Sequence, residues 1–249
     1  MSRMQGRERP TGQAAVRVAF ALAVACGAAV CGLGPALAQS AAPKRDASLA
    51  ALPMPIGAKV EIIAPYMRFN DSPMQISRIE TDDLAAVEKF YRDYFAAKGE
   101  DGVVSDVTHE GRRLLSAIVD KRLITVEMLP ERSGHSVLVS SLMPMRLQAP
   151  EKLAKDMPRL PGTVVLQVLE SVEAVGSNVT TSMRNSYSVE TNAYYLRAQM
   201  LLRGWRRVRD DTIDAGKQRQ IVFGKAGRQM LMDIQRIDDA TLIVANDTN

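Results

Sequence analysis

Cysteine is almost absent from this chain. Its two copies, Cys26 and Cys31, both sit inside one apolar run near the N-terminus. Everything after that run lacks a thiol, which excludes disulfide staples, thiolate zinc sites, redox exchange and cysteine nucleophiles. Histidine is nearly as scarce, with only His109 and His135. His109 stands next to Glu110, but adjacent strand residues point to opposite faces, so the pair reads as solvated surface rather than as base and orienter or as metal ligands. There is no Gly-x-Ser-x-Gly elbow, no Ser-x-x-Lys with its partner motifs and no glycine-rich phosphate loop ahead of a helix. Asp210, Asp211 and Asp214 lack the alternating spacing and closing Glu of a calcium loop and read as an acidic turn. The sequence therefore assigns no catalytic residue, no metal ligand and no cofactor.

Net charge and long apolar segments are also missing once the N-terminus is set aside. Arg3, Arg7, Arg9 and Arg17 against Glu8 precede the uncharged run from Val18 to Leu33. This is the pattern of a secretory signal peptide, and Ala36 and Ala38 place cleavage after Ala38, with Gln39 as the first mature residue. The apolar run is shorter than the roughly 20 residues that span a bilayer. Ala23 and Ala28 stand three residues before the cysteines, where lipid attachment needs a Leu-like residue, so no lipid anchor is expected. Of 32 basic and 28 acidic groups, removing four Arg and one Glu leaves 28 and 27. A nearly neutral chain gives nucleic-acid binding no global support. Export to the periplasm, with no transmembrane segment after processing, is the expected location.

What the chain does contain is an internal echo. A shift of 105 positions aligns Gly57 with Gly162, Ser77 with Ser182, Arg92 with Arg197, Gly99 with Gly204 and Gly111 with Gly216. A constant offset of this kind is the mark of duplication. The expected organisation is a signal peptide at 1–38, a disordered lead at 39–51, one unit at 52–146, a linker at 147–157 and a second unit at 158–249.

Each unit opens with a Pro/Gly turn and β-branched runs, at 59–63 and 74–79 in the first and at 163–169 and 179–184 in the second. A helix follows, announced by capping oxygens at Thr81-Asp82-Asp83 and Ser186-Tyr187-Ser188. Its apolar stripe is Leu84, Val87, Tyr91 and Phe95, or Val189, Ala193, Leu196 and Met200. Lys98-Gly99 and Arg203-Gly204 predict a stop at a left-handed glycine. Short strands separated by polar turns complete each unit. The fold class expected is α+β, a tandem duplication of a two-layer unit: two strands, one helix, then a three- or four-stranded antiparallel meander.

One segment is dense in charge. Arg203, Arg206, Arg207 and Arg209 surround Trp205, the only tryptophan. They form the single candidate contact for an anionic partner. The competing and preferred reading is structural, with Trp205 packed under the second helix. The functional expectation is an exported, non-enzymatic binding or scaffolding protein of the bacterial cell envelope, whose partner is an envelope protein or polymer. Two alternatives stay open: a hydrolase-type enzyme working through carboxylates, and a basic-patch binder of an anionic envelope polymer.

Overall fold

The computed structural model describes residues 52–63, 66–100, 105–109, 112–130, 135–142, 147–173 and 176–249. The expected signal peptide and lead, and the expected turns Glu110-Gly111 and Ser133-Gly134, lie outside the described residues. The first half holds β1 (Lys59–Ile62), β2 (Tyr66–Phe69), β3 (Ser72–Thr81) and helix α1 (Leu84–Lys98). Four strands follow: β4 (Ser105–His109), β5 (Arg112–Val119), β6 (Arg122–Pro130) and β7 (His135–Leu142). The short helix α2 (Pro150–Leu153) interrupts the expected linker. The second half holds β8 (Val164–Glu173), β9 (Gly176–Asn185), helix α3 (Val189–Leu202), β10 (Arg206–Ile213), β11 (Gln218–Lys225), β12 (Arg228–Ile237) and β13 (Ala240–Thr248).

The expected pair of two-layer α+β units is not what forms. All thirteen strands belong to one sheet, in the order β10-β11-β12-β13-β9-β8-β2-β3-β7-β6-β5-β4, with β1 also lying on β3. The halves are fused where β2 pairs antiparallel with β8, Tyr66 opposite Val172 through Phe69 opposite Leu169. The molecule is thus mostly antiparallel sheet, with three α-helices among the described residues. The physical reason lies in the edges. With the halves apart, β2 and β8 would each present unpaired N–H and C=O groups, and pairing these two edges with each other satisfies both. Asn70, in the left-handed region at φ 45°, locks the junction. Its N–H donates to the Val168 carbonyl and its side-chain oxygen accepts from the Val168 N–H, each at 2.8 Å.

Register partners share a sheet face, and following them across the junction locates the helices. Ile79 lies in the core under α1, and its face continues along β3 to Pro73, across to Arg68, on to Glu170 and along β8 to Val168, which lies in the core under α3. Both helices therefore cover the same side. Val87, Tyr91 and Phe95 of α1 and Val189, Ala193, Leu196 and Met200 of α3 are buried there. Met67, Met74 and Leu142 are register neighbours on the opposite face at the junction, and they too are buried.

The two glycine stops differ. Gly204 is left-handed at φ 79°, as expected. Gly99 is not: its backbone is extended at φ −64°, and glycine is required because a Cβ would stand 2.5 Å from the Phe95 carbonyl oxygen. At the end of α3 the Gly204 N–H donates to Leu201 and the Trp205 N–H to Met200, the paired bonds of a Schellman motif. That motif turns Trp205 back onto Met200, and the indole joins the core under α3 at 9% exposure. Truncation of Trp205→Ala should cost on the order of 3 to 5 kcal/mol. Thermal unfolding beside the wild type reads this directly, and an unchanged midpoint would mean that the indole contributes no packing.

Candidate functional site

The arginines around Trp205 do not form one patch. β10 is an edge strand, and its alternation sends Arg207 to the helix side and Arg209 to the other, with a bulge at Val208 between them. Arg203 caps α3 and donates to the Asp156 carbonyl. Arg209 pairs with Asp211 and donates to Gln220 at 3.0 Å. Arg206 is exposed. Arg228 lies over the Trp205 ring, 5.6 Å from its centroid. Of the five candidate contacts, then, one is in the core and the rest are spread over a helix end and two faces of an edge strand.

Arg207 belongs to a different arrangement, one that sequence inspection missed. It reaches Asp210 at 3.3 Å, where Arg197 of α3 donates at 3.0 Å and Arg219 of β11 at 2.7 Å. The first half repeats the device: Arg92 of α1 and Arg113 of β5 both hold Asp106 of β4, at 2.5 and 3.1 Å. In each half a carboxylate on the edge strand clamps the helix to the neighbouring strand. The 105-residue offset pairs Arg92 with Arg197, which was the visible trace; the carboxylates escaped because their spacing is 104. Burial alone would raise the Asp210 carboxyl, but hydrogen bonds from Arg219 and Arg197 outweigh it and hold it below its ordinary value. Hydrogen bonds from Arg113, then Arg92, hold Asp106 down at about 2.

An open groove of about 780 Å³ lies at the start of α1. It is lined by the turn 55–59, by residues 78–83, by Ala86 and Val87 of α1, and by Ser136 of β7. Asp83 caps the helix by accepting from the Ala86 N–H at 2.9 Å, and Thr81 Oγ1 accepts from the Asp83 N–H at 3.0 Å. Arg78 donates to Ser136 at 3.2 Å. Lys59 and Glu80 form an exposed ion pair. Their mutual hydrogen bond raises the ammonium above its ordinary value and lowers the carboxyl below its own. Both shifts run away from neutrality, opposite to what proton transfer near pH 7 calls for.

The same place in the second half is crossed by a hydrogen-bond network. Gly57 and Gly162 share a left-handed turn, φ 78° and 74°, and Ala58 and Thr163 follow them. Ile79 opposite Val137 matches Met183 opposite Ile243, which sets Thr81 against Asn185. Val87 and Asn192 each stand four residues past their cap. The buried Asn185 amide donates to Thr163 Oγ1 at 3.0 Å and to Asn192 Oδ1 at 2.7 Å; Asn192 donates back at 3.0 Å and to the Ser188 carbonyl at 2.9 Å. This network ties β9, α3 and the turn ahead of β8 together. Ala58 and Val87 have no side-chain group that can take part, and the groove opens there. The readable signal was a polar-to-apolar change at matched positions, Thr163 to Ala58 and Asn192 to Val87.

His109 and His135 fall at the ends of β4 and β7. Asp210 and Asp211 point to opposite sheet faces, and Asp214 sits in an exposed 3₁₀ turn. Among the described residues no three His, Cys, Asp or Glu stand together to hold a metal ion, and no helix is long and apolar enough to cross a membrane. Comparison of the chain with known protein families, with curated proteins and with solved structures returned no match.

The clamps predict different costs in the two halves. The Asp210 side chain is 9% exposed, and Asp210→Asn removes the charge that Arg197, Arg207 and Arg219 share, leaving Arg219 with Glu190 alone, a loss of roughly 2 kcal/mol. Asp106 is 35% exposed, and Asp106→Asn should cost under about 1 kcal/mol. Both carboxyls titrate lower when folded than the unfolded value near 3.9. Their contribution is therefore present above the unfolded value and is lost as the pH falls through the folded one, which for Asp106 is about 2. Urea unfolding across that window should be steep in the wild type and flatter in the double Asn variant.

Proposed function

We propose that this chain is an exported, non-enzymatic binding module of the bacterial cell envelope, and that it takes its partner in the groove beside α1. The observation that carries the reading is the divergence of matched sites: a buried amide network in one half, an open groove in the other. The volume falls in the range of ligand sites, roughly 300 to 1,000 Å³. Five ionisable groups border the groove, yet Lys59 and Glu80 neutralise each other and Asp83 serves the helix. That arrangement suits recognition more than acid–base chemistry. Export rests on the signal-peptide pattern of residues 1–38, and the partner is an envelope protein or polymer.

Grafting the seal tests this. The triple variant Ala58→Thr, Thr81→Asn, Val87→Asn should rebuild the amide network in the first half and fill the groove. Cross-linked capture from an envelope extract should fall by about tenfold, the loss of one anchoring contact, while circular dichroism stays that of the wild type. Undiminished capture by a folded triple variant would rule the groove out.

A further inference from the structure

We propose that β1 and the adjoining groove accept an extended, basic segment of a partner protein as one added strand; the proposal rests on the groove reading and names the ligand class. Among the described strands β1 pairs only with β3. The Ile63 N–H donates to the Ile76 carbonyl at 3.3 Å. In an antiparallel ladder the inward residues alternate, so the N–H and C=O groups of Val60 and Ile62 point away from β3 as a free edge. All four residues of β1 are exposed. Val60 and Ile62 stay 39% and 48% exposed on the side that elsewhere forms the core, and Ile56 in the groove's turn is fully exposed. Backbone groups plus alternate apolar side chains are what strand addition uses.

Topology selects the occupant. β1 and β2 lie end to end along β3, and β2's other neighbour is β8. Among the described residues, the unpaired edge of β1 is therefore in line with β8, beyond Glu173. A single strand fits this line. A second copy pairing through its own β1 would bring its β3 and β7 in the same plane, end-on against β9 and β13. Charge selects the chemistry: Glu61, Glu80, Asp82 and Asp83 outnumber Lys59 and Arg78 over the edge and groove lining. An extended segment alternating apolar and basic residues complements both features.

The test uses two labelled synthetic peptides of about ten residues, a typical upper strand length, one alternating Val and Lys, the other Val and Glu, read by fluorescence anisotropy. The lysine peptide should bind at least about tenfold more tightly. Val60→Pro deletes an outward N–H, a position where an edge strand tolerates proline. It should weaken binding about tenfold and leave the melting midpoint in place, while Val60→Thr should bind as wild type. Because a proline variant can fold poorly, Glu61→Lys with Asp82→Lys supplies a second arm: it should erase the preference for the lysine peptide. Absence of saturable binding, equal affinity for both peptides, or full binding by folded Val60→Pro would each overturn the proposal. The groove reading fails separately. If the sealed triple variant still binds while Val60→Pro does not, strand addition stands and the groove falls. If only the seal abolishes binding, the groove stands and strand addition falls.

Discussion

The antiparallel pairing of β2 with β8 is the contact on which the architecture depends. It is short, spanning Tyr66 to Phe69 against Leu169 to Val172, yet it joins an array of seven strands to one of six in a single sheet and puts both helices on one side. It also removes the two innermost edges from solvent, so that what remains exposed is peripheral: β4 and β10 at the ends, and β1 beside the junction. The outer edge β10 is blunted by a bulge and by arginines, devices that discourage further pairing. β1 has no bulge and carries valine and isoleucine on its open side.

Local order was well marked in the sequence, and long-range pairing was not. The caps at Asp83 and Ser188, the stripe Val87, Tyr91 and Phe95, and the turns at Gly57 and Gly162 are all short-range patterns with a fixed chemistry. The junction leaves no such mark, since Tyr66 and Val172 are register partners 106 residues apart in the chain and their pairing depends on edges, not on periodicity. That is why an expectation of separate α+β units gave way to a single sheet. Gly99 illustrates a smaller failure of the same kind. A glycine after a basic helix end reads as a left-handed cap, but here the close approach of the Phe95 carbonyl is the reason for it.

The candidate site had a similar fate. Density of charge drew attention to Arg203, Arg206, Arg207 and Arg209, but linear density is not spatial density on a strand, whose alternation splits neighbours between two faces. Helix and strand geometry instead gather Arg92, Asp106 and Arg113, and Arg197, Asp210 and Arg219, into equivalent clamps. Maintained clamps and a divergent groove describe how the two halves differ: the parts that hold helix to sheet are alike, and the surface at the helix start is not. Asn185 and Asn192 are the informative residues here, because a satisfied buried amide pair in one half makes its absence from the other interpretable.

The central claim is that the two halves share one continuous sheet through β2 and β8. Amide hydrogen exchange followed by mass spectrometry tests it most directly, on peptides covering 66–69 and 169–172. Protection there equal to that of the interior strands β9 and β13 is the predicted result. Exchange as fast as at the outer edges β4 and β10 would contradict it.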